Sequence, residues 1–146
     1  MQISPYLYFA GNCEEAIAFY QQAIDAHLTL KMTWGDVPPE KQQQPQKQNR
    51  VSGDTPADDK IMHAFLRIGD SELQLSDSAE AVNYNGFAVS LSSHDADEGK
   101  KWFDNLAVGG TVTLAWEETF WAAGFGTLID KFGVPWRINV SKPDAD

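Results

Sequence analysis

His63, Phe65 and Gln74 are the residues whose types and spacing come closest to a chemical site. His63 and Phe65 stand two apart in the run I-M-H-A-F-L-R-I, and Gln74 lies in the run S-E-L-Q-L-S-D that follows the Gly69-Asp70 pair. Two strands joined by that two-residue turn would set Ile68 opposite Ser71, Arg67 opposite Glu72, Leu66 opposite Leu73, Phe65 opposite Gln74, Ala64 opposite Leu75 and His63 opposite Ser76. One face of such a hairpin is purely apolar, with Met62, Ala64, Leu66, Ile68, Leu73 and Leu75, and must pack on a helix. The other face mixes His63, Phe65 and Gln74, polar groups among apolar ones, as ligand-binding faces do. His63 is the candidate catalytic residue: a neutral imidazole there would act as base or hydrogen-bond donor near pH 7. The competing reading is a satisfied structural histidine, since no positioned carboxylate or nucleophile accompanies it.

A second group lies near the C-terminus. The run 116–140 holds Trp116, Trp121, Trp136 and Arg137 around the turn Asp130-Lys131-Phe132-Gly133, and large aromatics beside glycines read as an apolar cavity wall. Trp136 alternates with Ile138 and Val140 and belongs with a core. Trp116 and Trp121 would stack on a ligand, although a dimer interface favours Trp121 equally. Gln74 and Arg137 suit a polar or anionic ligand through amide and guanidinium groups; Arg137 would equally pair with one of the many carboxylates. Glu117 and Glu118 read as a solvated acidic pair that could supply a carboxylate. Cys13 follows a helix cap, where the dipole lowers a thiol pKa, but no catalytic Cys motif surrounds it. His27 and His94 show no metal spacing. Phe65, Gln74, Trp116, Trp121 and Arg137 are thus the candidate ligand-binding residues.

The elements that would position these groups follow from periodicity. Residues 3–10 have strand character, Gly11-Asn12 ends the run, and Asn12 with Glu15 forms a capping-box pattern ahead of Ala16, Ile17, Tyr20, Ala23 and Ile24 at helical spacing. Residues 28–34 alternate, placing Leu28, Leu30, Met32 and Trp34 on one face of a half-buried strand. From Asp36 to Lys60 the pattern stops in a Gln- and Pro-rich stretch, read as a mobile loop with a short helical turn near Pro39. A lid over a pocket and a tolerated surface insertion are its two readings. A second half begins at Asn85-Gly86: a strand over 86–92, a helix opened by Asp95 and Glu98 and carrying Ala96, Gly99, Trp102, Phe103 and Leu106, then strands at 111–117, 125–130 and 134–141. Strand, capped helix with an aromatic pair and hairpin appear twice, which predicts an internal duplication.

At 146 residues the chain forms one domain, or two small modules sharing a core. A net charge of -10 opposes nucleic acid and anionic membranes as partners. No window approaches a membrane span and no leader pattern is present, so a cytoplasmic protein is expected. The single cysteine excludes an intrachain disulfide framework.

The runs S-P-Y-L-Y-F-A-G-N-C-E-E-A-I-A-F-Y (4–20), H-A-F-L-R-I-G-D-S-E-L-Q-L-S-D (63–77), E-G-K-K-W-F-D-N-L-A (98–107) and E-T-F-W-A-A-G-F-G-T-L-I-D-K-F-G-V-P-W-R-I-N-V (118–140) resemble the vicinal oxygen chelate superfamily. That superfamily holds glyoxalase I, extradiol dioxygenases and bleomycin-resistance proteins, and the PhnB-like group is the nearest match. The resemblance implies an α+β fold of two β-α-β-β-β modules, about 1–84 and 85–146, each curling a mixed sheet, and a homodimer. It also implies four metal-ligand positions, which fall at Pro5, Gln74, about Gly86 and Arg137. Pro and Gly offer no side-chain ligand, Gln is weak and Arg repels a cation, so no metal or other cofactor is expected. The expected function is binding of a small molecule in an aromatic cavity. The alternative is a lyase, isomerase or dioxygenase-like enzyme with a non-standard metal site around His63. A demethylubiquinone methyltransferase activity, a label inherited in the family, is disfavoured because no G-x-G loop for a nucleotide-like methyl donor is present.

Overall fold

The computed structural model describes residues 1–36, 38 and 57–143. The expected loop at 36–60, with its helical turn near Pro39 and its lid reading, lies for the most part outside the described residues. The chain divides into two compact units, Met1–Val82 and Asn83–Asp146. The first contains β1 (Tyr6–Phe9), α1 (Cys13–Ile24), β2 (His27–Thr33), a 3-10 turn at Trp34–Asp36, β3 (Ile61–Ile68) and β4 (Ser71–Asp77). The second contains β5 (Val89–Ser93), α2 (Ala96–Ala107), β6 (Thr111–Glu117), β7 (Ala122–Ile129) and β8 (Pro135–Ser141). The sheet orders are β1-β4-β3-β2 and β5-β8-β7-β6, each with one parallel pair beside two antiparallel ones. The same β-α-β-β-β plan is therefore drawn twice, the duplication expected from the repeated pattern and the α+β architecture implied by the resemblance.

In the first unit the hairpin register is the one its turn dictates: Ile68, Arg67, Leu66, Phe65 and Ala64 lie opposite Ser71, Glu72, Leu73, Gln74 and Leu75. Ala64, Leu66, Leu73 and Leu75 are buried, on the side that α1 covers with Ala16, Ile17, Tyr20, Ala23 and Ile24. The cap of α1 differs from expectation. Asn12 makes no side-chain capping bond; the first-turn N–H of Cys13 donates instead to Asp77 Oδ1 at 2.9 Å, while Ile61 N–H donates to Asp77 Oδ2 at 2.8 Å. A buried carboxylate at the end of β4 thus satisfies the helix N-terminus and favours its positive end. At α2 the expected cap is present, Asp95 accepting from the N–H groups of Asp97 and Glu98. Glu98 reaches back through Ser93, whose hydroxyl donates to its carboxylate and accepts from Asp95 N–H.

The half-buried strand expected at 28–34 is corrected. β2 is an edge strand with irregular register after Leu28 and after Met32, so strict alternation is lost. Leu28 and Leu30 are exposed, and Trp34 leaves the strand for the 3-10 turn, where it is buried against Met62 with Met32 packed on it.

The second unit rests on two constraints. Gly124 and Gly126 leave β7 without side chains where the rings of Trp116 and Phe103 press on it, so a Cβ at Gly124 would overlap the Trp116 indole. Asp130, itself buried, holds the β7–β8 turn: its carboxylate accepts from Phe132 N–H at 2.8 Å, Val134 N–H at 3.1 Å and Trp136 Nε1–H at 2.9 Å. Gly133 completes the turn at φ 94°, a conformation that side chains resist. Trp136, Ile138 and Val140 face α2 and are buried, as their alternation predicts.

Two substitutions test this account by urea unfolding. Gly124→Ala is expected to cost about 1–3 kcal/mol through overpacking against Trp116. Asp130→Asn, which weakens three charge-assisted bonds at once, is expected to cost about 2–3 kcal/mol. A loss within about 0.5 kcal/mol, the range of ordinary surface changes, would show that the turn does not depend on that carboxylate.

Candidate functional site

The face of the first sheet opposite α1 collects the groups singled out by the hairpin. Parallel pairing of β1 with β4 sets Tyr6 beside Gln74 and Tyr8 beside Ser76, while antiparallel pairing sets Phe65 on the other flank of Gln74. His63, Phe65, Gln74, Tyr6 and Tyr8 are all half-buried there. The Tyr6 hydroxyl lies 3.0 Å from His63 Nδ1. The imidazole meets Phe65 edge-on, with ring centres 4.6 Å apart, and Tyr6 stacks obliquely on Tyr8 at 4.9 Å. Gln74 Nε2–H donates to Ser4 Oγ at 2.9 Å, which leaves the amide oxygen as an acceptor on this face.

Electrostatics keep these groups neutral. Burial lowers the His63 pKa below 6.5, opposed in part by the Glu72 charge. Burial raises the Tyr6 pKa, with the Ser76 hydroxyl working against it. We assign the Tyr6 phenol as donor to Nδ1, since it is a far stronger acid than a neutral imidazole N–H. The imidazole proton then sits on Nε2. Among the described residues no carboxylate is bonded to His63. The face therefore offers one N–H donor at His63, one amide acceptor at Gln74 and three aromatic rings.

Arg137, Trp121 and Trp116 belong to the second unit and do not form one group. Trp116 turns toward α2, its ring 5.4 Å from Phe103 and against Gly99 and Gly124. Arg137 lies on the opposite face, its guanidinium carbon 5.0 Å from the centre of the Phe125 ring, and Trp121 meets the same ring at 5.5 Å. The pairing of Arg137 with one of the many carboxylates is not found among the described residues. Glu117 and Glu118 are exposed, and Glu118 approaches Lys142 at 3.9 Å.

Two residues of these faces were missed by pattern reading. Tyr6 reaches His63 through a parallel strand pair, which no local turn encodes. Phe125 sits between two glycines, and that spacing hides its strand face. Cys13 is fully buried, and its thiol pKa is driven well above the ordinary range by burial and the Asp77 charge. The lowering expected from a helix N-terminus is overruled.

The four positions at which the resemblance implies metal ligands, the third at about Gly86, carry an unsuitable donor set. Pro5 and Gly86 present no side-chain donor, Gln74 offers only a neutral amide oxygen, and Arg137 brings a positive charge. Among the described residues no three His, Cys, Asp or Glu side chains gather as metal ligands, and no helix is long and apolar enough to cross a membrane.

Comparison with known proteins agrees with the architecture. Protein YjdN of Escherichia coli is 49% identical over 144 residues, covering 97% of each chain. The crystal structure of PA1353 from Pseudomonas aeruginosa is 37% identical, covers 97% of this chain and 98% of its own, and superposes with a TM-score of 0.79. A PhnB protein from Bacillus cereus, described as a putative 3-demethylubiquinone-9 3-methyltransferase, shares the fold at a TM-score of 0.74 with 20% identity, covering 97% and 100%. Residues 2–138 match the Glyoxalase/Bleomycin resistance protein/Dioxygenase superfamily, and the chain belongs to that superfamily.

Proposed function

We propose that this protein binds a small aromatic molecule on the face formed by Tyr6, His63, Phe65 and Gln74, without the metal that many of its relatives use. The observation that carries the reading is the pairing of His63 Nδ1 with the Tyr6 hydroxyl. A catalytic histidine gains basicity from a carboxylate on its far nitrogen. A phenol donating there withdraws basicity instead and fixes Nε2–H as a hydrogen-bond donor. Beside it, Phe65 supplies stacking area and Gln74 an acceptor, the combination that orients a ligand rather than transforms it.

The same reading takes the working form to be a homodimer. Val112, Leu114 and Phe120 stand exposed along β6 and the loop after it, more apolar surface than one short segment of a monomer usually leaves open. Light scattering is expected to return twice the chain mass of 16.2 kDa; a monomeric mass would exclude the dimer.

A thermal-shift screen of metals and small aromatic metabolites tests the binding reading. Stabilisation by an aromatic compound that is lost in both Phe65→Ala and Gln74→Ala is the expected result. Stoichiometric Zn, Ni, Mn or Fe in purified protein, lost in His63→Ala, would overturn it in favour of an enzyme with a non-standard metal site.

The state of His63 is a separate prediction. Because its folded pKa lies below 6.5, stability linked to the neutral ring is complete above that pH and is lost as pH falls through the lowered value. Nitrogen-detected NMR is expected to show the Nε2–H tautomer and a titration midpoint below 6.5. Tyr6→Phe should raise the midpoint, by removing a donor that favours the neutral ring; Glu72→Gln should lower it further.

A further inference from the structure

We propose that the face of the second sheet opposite α2 is an oxyanion site centred on Arg137, which takes the carboxylate or phosphate group of a small molecule. The proposal rests on the reading of this chain as a small-molecule binder, but on none of the residues of the Tyr6–His63 face.

Arg137 is anomalous in its setting. The chain carries 21 acidic against 11 basic residues, yet this exposed arginine forms no ion pair and no hydrogen bond with any described residue. It is nonetheless held in place. The guanidinium lies over the Phe125 ring at 5.0 Å, and Phe125 is itself buried and buttressed by Trp121 at 5.5 Å. A cation seated on an aromatic face loses rotational freedom without using its N–H donors. Among the described residues nothing takes any of its five donors, which keep the planar fork that matches a carboxylate or phosphate.

The neighbours fit the same ligand class. Register places Ser90 of β5 and Thr127 of β7 directly beside Arg137, and Asn139 one step along the same face, flanked by Ser92 and Phe125. Thr127 is oriented by Thr113, the two hydroxyls 2.7 Å apart. The face thus surrounds one cation with hydroxyls and an amide, all able to donate to oxygen. Among the described residues the acidic group in register on this face is Glu117, opposite Phe125 on the edge strand, exposed and not bonded to Arg137. The exposed indole of Trp121, packed against the buried Phe125, offers apolar surface for the body of the molecule that bears the anion.

NMR of the Arg137 Nε–H and Trp121 indole N–H resonances tests the site, with inorganic phosphate, benzoate and the neutral isostere benzamide as probes. Saturable shifts with phosphate or benzoate, and none with benzamide, are expected; whichever anion binds more tightly identifies the class. Arg137→Gln should abolish the response and Arg137→Lys should weaken it about tenfold or more, the loss of a charge-assisted fork, with thermal unfolding unchanged in both. The proposal is overturned if neither anion gives a saturable shift, or if the shift survives in Arg137→Gln. Stabilisation by neutral aromatics through Phe65 and Gln74, with no anion response at Arg137, would sink this site and leave the first; anion binding lost only in Arg137→Gln, with no effect of Phe65→Ala or Gln74→Ala on any ligand, would do the reverse.

Discussion

A carboxylate removed from water must be met by donors, and each unit of this chain uses one such group to fix its geometry. Asp77 joins the first N–H of α1 to the first N–H of β3, so the helix cannot shift along the sheet without stripping a buried charge of its partners. Asp130 gathers two turn amides and the Trp136 indole, which sets the β7–β8 register. Everything on the opposite faces inherits this. His63 and Gln74 are where they are because α1 claims the alternate residues of β3 and β4, and Arg137 faces away from α2 because Trp136 and Ile138 face toward it.

The two units share a plan but present unlike chemistry. The first face is aromatic and neutral, and burial shifts both His63 and Tyr6 further toward their uncharged forms. The second carries a lone guanidinium among hydroxyls. At the four positions where the resemblance implies metal ligands stand Pro5, Gln74, a residue at about Gly86, and Arg137, a donor set poorly matched to a divalent ion.

Much of this was legible in the sequence where constraint is local. A two-residue turn and a one-sided apolar pattern leave a single register for 61–77, and the pairs seen are those expected. The buried stripe of α1 and the inward position of Trp136 follow from periodicity in the same way. What the sequence hides is set by distant partners. Asn12 has the right type for a cap, but Asp77, far along the chain, reaches the helix end first. Leu28 and Leu30 alternate like half-buried residues, yet they lie on an edge strand whose irregular register breaks the pleat. Trp116 looks like a cavity ring until the glycines of β7 and α2 make room for it on the helix side. Tyr6 joins His63 only because a parallel strand crosses over from the chain's beginning.

Cys13 gives the buried junction a practical meaning. It is the chain's only thiol, it has no exposed surface, and it sits where α1 meets Asp77. A thiol so placed reacts only after the helix lifts from the sheet, because neither access nor ionisation is available while the contact holds. Its rate of alkylation in native buffer is therefore a clock for the opening of one junction. The protein carries, at a fully buried junction, its own single-site reporter of local unfolding.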